Sequence, residues 1–173
     1  MKYDPNIHHR RSIRLKDYDY SSVGAYFITI CTENRECILS SLRRGNPCGC
    51  PKIELTELGR ICNNMLFGIS AMYNIIISKY VIMPNHIHFL MIISNDDTRA
   101  TARVAPTVGD IVGGYKSLVL KIWLKKCNEN NISMGQIWQR NYYEHIIRDE
   151  QDYEIKWNYI DTNPLNWEKD EYK

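Results

Sequence analysis

Two histidines one residue apart, His86 and His88, stand inside an apolar run that extends from Tyr80 to Ile93. On an extended strand alternate side chains share a face, so both imidazoles point one way and Ile87 the other. Imidazoles placed like this can clamp a metal ion, or they can serve as ordinary structural residues with hydrogen-bond partners. Later in the chain Tyr159 and Asn163 are four apart, the spacing that puts two side chains on one helix face about a turn apart. Laid over the histidine strand, that face would bring the amide oxygen of Asn163 as a hard third ligand and the Tyr159 phenol beside the ion. The spacing equally suits core packing, since Tyr159 is one of 12 tyrosines. Two imidazoles and an oxygen suit Mg²⁺ or Mn²⁺, with water and a substrate phosphate completing the shell. A cation there would polarise a scissile phosphate, and a tyrosine beside it can attack phosphorus to leave a covalent phosphotyrosine link.

Periodicity supplies the elements that must bring these groups together. Tyr26 to Thr32 is β-branched and aromatic and reads as a first strand. Residues 38–42 and 52–55 flank a Gly/Pro/Cys stretch and read as a small hairpin. Thr56 can cap a helix from Glu57 to about Ser70, with Leu58, Ile61, Cys62, Met65, Leu66 and Ile69 on one stripe. Residues 74–83 and 86–93 are two strands joined by the Pro84-Asn85 turn, so His86 opens the second. After a polar loop over 94–106, a helix capped near Thr107 runs through Ile111, Tyr115, Leu118, Val119, Ile122 and Trp123, with Lys116, Lys121, Lys125 and Lys126 on its exposed face. Residues 136–148 hold the fourth main strand, and Asp149 caps a last helix from Glu150 to about Thr162, ended by Asn163-Pro164. The order βαββαβ, with antiparallel strands and two helices across one face, is the ferredoxin-like or RRM-like α+β arrangement, here with an additional C-terminal helix carrying the tyrosine.

A chain of 173 residues with 44% hydrophobic content fits one domain, with a basic amino-terminal segment over 1–20 and the tyrosine helix over 149–163. No stretch approaches the roughly 20 apolar residues of a membrane span, and Met1 to Pro5 lacks a secretory core, so the expectation is a cytoplasmic protein without membrane partners. In that reducing compartment the six cysteines are expected as free thiols, and Cys48-Gly49-Cys50 lacks the further ligands a zinc site needs. Eight of the 20 acids but only three of the 22 bases fall in residues 149–173, leaving that segment at −5 and the remainder at +7. A basic body suits a phosphate-bearing partner, and His8, His9, Arg10, Arg11, Arg14 and Lys16 form its densest cluster.

Taken in order, Met83-Pro84-Asn85-His86-Ile87-His88, Gly114-Tyr115-Lys116-Ser117, Ile137-Trp138-Gln139, Tyr142 to Arg148 and Tyr159-Ile160-Asp161-Thr162-Asn163-Pro164 resemble the HUH (His-hydrophobic-His) single-tyrosine transposases. The chain is most similar to the REP-associated tyrosine transposases, whose amino-terminal pattern is matched by Arg10-Arg11-Ser12-Ile13-Arg14-Leu15-Lys16-Asp17-Tyr18-Asp19-Tyr20. The resemblance implies a ferredoxin-like core, a divalent metal held by His86, His88 and Asn163, and Tyr159 as nucleophile on single-stranded DNA. It further implies cleavage beside an imperfect hairpin, leaving a 5′-phosphotyrosine and a free 3′-hydroxyl that can rejoin another end. Contacts to a hairpin are then expected from Arg10, Arg11, Arg14, Lys16, Lys116 and Lys121, with Trp138 and Tyr142 available to stack on unpaired bases. Those two aromatics also suit a core. The resemblance is compatible with a monomer or a homodimer. Two other functions share these residues: a non-cleaving hairpin-binding regulator, and a metalloenzyme acting on small molecules, which would need a concave pocket with convergent polar groups.

Overall fold

The computed structural model describes residues 23–43, 51–94 and 106–173; Arg10, Arg11, Arg14, Lys16, Cys48 and Cys50 lie outside them. Four strands form the main sheet: β1 (Gly24–Cys31), β4 (Ile75–Ile82), β5 (His86–Ile93) and β6 (Tyr143–Ile147), in the spatial order β4-β5-β1-β6. Every neighbouring pair is antiparallel. A separate hairpin, β2 (Ser40–Arg43) with β3 (Lys52–Leu55), precedes α1 (Glu57–Tyr73). The second crossover is α2 (Val108–Glu129), and α3 (Glu150–Thr162) follows β6. This is the interleaved βαββαβ order expected from the sequence, with the tyrosine helix added.

The central strands are buried on both faces, which explains why they read as nearly unbroken apolar runs. Tyr26, Ile28 and Ile30 of β1 join Ile87, Phe89, Met91 and Ile93 of β5 in the larger core beneath α1 and α2. Phe27 and Leu90 face the other way, into a smaller cluster closed by Ile160, Tyr153 and Trp157 of α3. The period of two along β5 thus puts His86 and His88 on the α3 side of the sheet.

Local chemistry sets the helix starts. The Thr56 hydroxyl accepts the Gly59 N–H at 3.0 Å, and Thr107 with Asp110 forms a reciprocal capping box. Asp149 accepts the Asp152 N–H at 2.8 Å. Close packing of α1 on the preceding chain requires glycine at 59: a Cβ there would lie 2.0 Å from the Leu39 carbonyl oxygen.

The first crossover helix runs beyond its sequence-read end near Ser70: α1 reaches Tyr73, where Asn74 closes it in the left-handed conformation at φ 47°. α2 carries Lys125 and Lys126 as read and ends at Glu129. Asn163 does not end the helical path either: it keeps helical dihedrals (φ −55°, ψ −43°), and a 3₁₀ segment covers Asn163–Lys169. Pro164 sits in the first turn of that segment, where its missing N–H has no partner to lose. The carboxamide of the buried Asn163 is held by Asp170, which offsets the pre-proline cost. Among the described residues no helix is long and apolar enough to cross a membrane.

Candidate metal centre

His86 and His88 are fully buried, side by side on β5 with ring centroids 4.4 Å apart. Their outer nitrogens are held from behind. Thr29 of β1, directly opposite His88 in the strand register, places its hydroxyl 2.8 Å from His88 Nδ1. The turn residue Asn85 places Oδ1 2.7 Å from His86 Nδ1. The direction of that second bond follows from the rest of the amide. Asn85 Nδ2 donates to the carbonyls of Tyr172 (2.7 Å) and Arg35 (3.3 Å), so Oδ1 is the atom turned to the ring and must accept. His86 Nδ1 therefore carries the proton and Nε2 presents a bare lone pair.

Facing that lone pair are further acceptors. Asn163 Nδ2 donates to Asp170 Oδ2 at 2.6 Å, leaving Asn163 Oδ1 buried without a partner, as are Nε2 of His86 and Nε2 of His88. Asp170 Oδ2 lies 3.8 Å from His86 Nε2, and one ligand atom from each of His86, His88 and Asp170 falls within 4.8 Å of the others. Buried polar atoms left without partners are costly, and a cation held between Nε2 of His86, Nε2 of His88 and Asn163 Oδ1 would satisfy them together. The donor set of imidazole nitrogens, an amide oxygen and a carboxylate is one a divalent ion accepts. Burial pushes His86 down to about 4, against the opposing pull of Asp170 and Asn163. Burial also lowers His88, helped by repulsion from His86 and Lys156. Both rings are thus neutral and available as ligands at neutral pH.

Tyr159 stands beside this cluster. Its ring lies 5.1 Å from that of His88 and 5.8 Å, edge-on, from Phe27, while Phe27 itself stacks on His88 at 5.2 Å. Burial lifts the phenol well above its ordinary 10.0, and the charges of Asp170 and Glu171 lift it further, partly offset by Asn163. A phenol so raised needs help to ionise. A cleft of about 220 Å³ opens next to it, lined by Tyr159, Thr162, Asn163, Asn166, Lys169, Asp170 and Glu171.

Asp152, Lys156, Tyr159 and Asn163 form one stripe along α3, at spacings of four, three and four. They meet His145 of β6 (2.8 and 2.9 Å), the Phe27 ring of β1 (5.2 Å), His88 of β5, and Asp170. The helix crosses the strands, carrying the phenol and the amide to the same place as the imidazoles.

Other sequence-expected residues are spread elsewhere. Lys121 is exposed on α2. Lys116, read as part of an exposed face, is partly buried and donates to the carbonyls of Gln139 (2.8 Å) and Asn141 (2.9 Å); burial pushes its ammonium down to about 8. Trp138 is buried against Tyr115, and the Tyr142 hydroxyl donates to Glu144. Asp170, Thr29 and Tyr172 were not foreseen. Tyr172 lies over both imidazoles, 5.1 and 5.4 Å away, and burial pushes its phenol up to about 12.

No family model matches the chain. A Haemophilus influenzae protein described only as "Uncharacterized protein" is 39% identical over 184 residues, covering 98% of this chain and 96% of its own. A second protein from the same organism, named "Putative REP-associated tyrosine transposase", is 32% identical over 152 residues, covering 85% of this chain and 73% of its own. Among solved structures, a REP-associated tyrosine transposase bound to a REP hairpin superposes with a TM-score of 0.56 at 19% identity, over 91% of this chain and 74% of that one. A Deinococcus radiodurans protein described as a putative transposase superposes with a TM-score of 0.50 at 15% identity, over 87% of this chain and 97% of its own.

Proposed function

The chain belongs to the REP-associated tyrosine transposases, and from that membership we propose that it cleaves and rejoins single-stranded DNA beside a hairpin, with Tyr159 as the nucleophile. His86, His88 and Asn163 would hold a divalent cation, Mg²⁺ or Mn²⁺, with Asp170 as a further oxygen donor. The observation that carries this reading is the convergence of buried, unpartnered acceptors beside a phenol borne by the same helix as one of them. A cation in that place supplies positive charge to a bound phosphate and to an ionising phenol.

In the proposed reaction the Tyr159 oxygen bonds to phosphorus while the bond from phosphorus to the 3′ oxygen breaks. The phenolic proton passes to solvent, and the departing 3′ oxygen takes up a proton to become a free hydroxyl. The bond energy is conserved in the phosphotyrosine, so the reverse attack by a 3′-hydroxyl needs no external energy source. Arg10, Arg11, Arg14, Lys16 and Lys121 are proposed to bind hairpin phosphates. Lys116 and Trp138 would instead shape the segment that leads to Tyr142, a candidate for stacking on an unpaired base.

The test is incubation of the protein with Mn²⁺ and a 5′-tailed hairpin oligonucleotide, followed by denaturing electrophoresis. Wild type should give a covalent protein–DNA band and Tyr159→Phe none. An adduct that survives Tyr159→Phe refutes the nucleophile. Hairpin binding with no adduct from wild type supports the non-cleaving regulator instead.

A further inference from the structure

α3 delivers both Tyr159 and Asn163, and it packs Tyr153, Trp157, Tyr159 and Ile160 into the smaller apolar cluster; of these only Ile160 is fully buried, and Ile155 is 56% exposed. Apolar contact is not directional, so a polar tie is what can fix how far the helix has advanced across the sheet. In the strand register His145 of β6, Phe27 of β1 and Leu90 of β5 lie abreast. From β6 to β5 is therefore roughly 10 Å, two strand spacings. From Asp152 to Tyr159 along the helix is also roughly 10 Å, at about 1.5 Å per residue. An attachment at Asp152 over β6 consequently sets where Tyr159 falls relative to His88.

That attachment exists. His145 Nε2 lies 2.9 and 2.8 Å from the two carboxylate oxygens of Asp152, and Asp152 Oδ2 also accepts the Arg148 N–H at 3.2 Å. Burial works to raise the Asp152 carboxyl, but the bond to His145, the backbone N–H of Arg148 and the nearby positive charges together hold it below its usual range. Among the described residues the further polar ties of α3 to the sheet include the Lys79–Asp161 ion pair, Lys79 over the Trp157 ring and Lys156 over the Phe27 ring. None of these is at the helix start, where an axial slip would begin.

We infer that His145 and Asp152 form a positioning clasp that holds α3 at the axial offset needed to bring Tyr159, with Asn163, against the metal centre. The inference rests on the proposed cleavage function, and neither residue touches the reacting atoms. Losing the clasp frees the helix start, so the phenol samples offsets that do not reach phosphorus. Misplacement of about 1 Å in a reacting group is enough to cost on the order of a hundred-fold in rate.

The test compares wild type with His145→Phe, His145→Gln, Asp152→Ala and the His145→Phe/Asp152→Ala pair. The readouts are the rate of adduct formation at saturating hairpin and Mn²⁺, and the hairpin Kd. His145→Phe should slow adduct formation by about ten-fold or more, with hairpin Kd within about two-fold of wild type. His145→Gln, which keeps an N–H donor, should recover most of the rate, and the paired variant should be no slower than the worse single one. A His145→Phe protein as fast as wild type overturns the clasp, as does one that loses hairpin affinity in proportion to rate. Should His145→Phe fail to fold, Asp152→Ala, which removes the acceptor, decides: a wild-type rate there overturns the clasp, and a slowed rate with intact affinity supports it. A wild-type protein that forms no adduct refutes the function itself, and the clasp with it, whereas an active wild type matched in rate by the variants refutes the clasp alone.

Discussion

Replacing Thr29 with valine removes one hydroxyl from the wall behind His88 while keeping the β-branched shape that β1 packs around. For His88 Nε2 to offer a lone pair, Nδ1 must carry the proton, and the Thr29 oxygen 2.8 Å away is what receives it. With valine there, the metal-bound state holds an unpaired N–H in a fully buried ring. The metal-free state escapes part of that cost by moving the proton to Nε2. An unsatisfied buried donor costs about 1–3 kcal/mol, and each 1.4 kcal/mol is a factor of ten in an equilibrium constant, so Mn²⁺ affinity should fall by about 5- to 150-fold. Calorimetric titration of Mn²⁺ into the DNA-free protein measures this directly. Thr29→Ser, which restores the hydroxyl, should bind almost as wild type, and urea unfolding of the metal-free variants separates a fold defect from a binding defect. A Thr29→Val protein that binds Mn²⁺ within two-fold of wild type refutes the assignment of His88 Nε2 as a ligand.

Removing the Asp170 carboxylate with Asp170→Ala should weaken Mn²⁺ binding by about ten-fold, less than His86→Ala does, because the imidazoles and Asn163 remain; an unchanged calorimetric Kd would take Asp170 out of the ligand set. In chelator the protein should lose stability on acidification. His86 titrates at about 4 when folded, against 6.5 when free, so the unfolded chain binds more protons in that window, and the stability contributed is complete above it and falls as pH drops through it. Urea midpoints between about pH 7.5 and about pH 5 should decline for wild type and decline less for His86→Phe; parallel slopes would contradict the buried neutral ring. Gly59→Ala should destabilise by about 1–3 kcal/mol in urea titrations, since the added methyl meets the Leu39 carbonyl; a wild-type midpoint would mean that α1 can shift freely.

The histidine strand could be read in full from the sequence, because the Pro84-Asn85 turn and the apolar run after it leave no competing register, and β5 begins at His86 and ends at Ile93. The Thr56, Thr107 and Asp149 caps and the Tyr159–Asn163 face were legible because each depends on residues within a few positions of one another, and the hairpin because turn-forming residues separate its two short strands. Thr29 was not, since which residue of β1 lies opposite His88 is decided by pairing between strands 59 positions apart. Asp170 escaped because proline after Asn163 reads as a stop, whereas a 3₁₀ path tolerates it and turns the chain back to the site. Lys116 illustrates the limit of reading exposure from residue type: a helix lysine is solvated unless another segment packs over it, and residues 139–141 do so.

Asn85 looks, by position, like a turn former chosen for its tolerance of tight backbone, but its carboxamide is read on both ends. The oxygen serves one imidazole, while the nitrogen ties together two stretches of chain that are far apart in sequence, at Arg35 and Tyr172. Aspartate has the same outline and suits the same turn, yet it has no hydrogens to give. Deamidation at this one position would set a negative oxygen against two carbonyls, turning both tethers repulsive at once without changing the shape of the side chain.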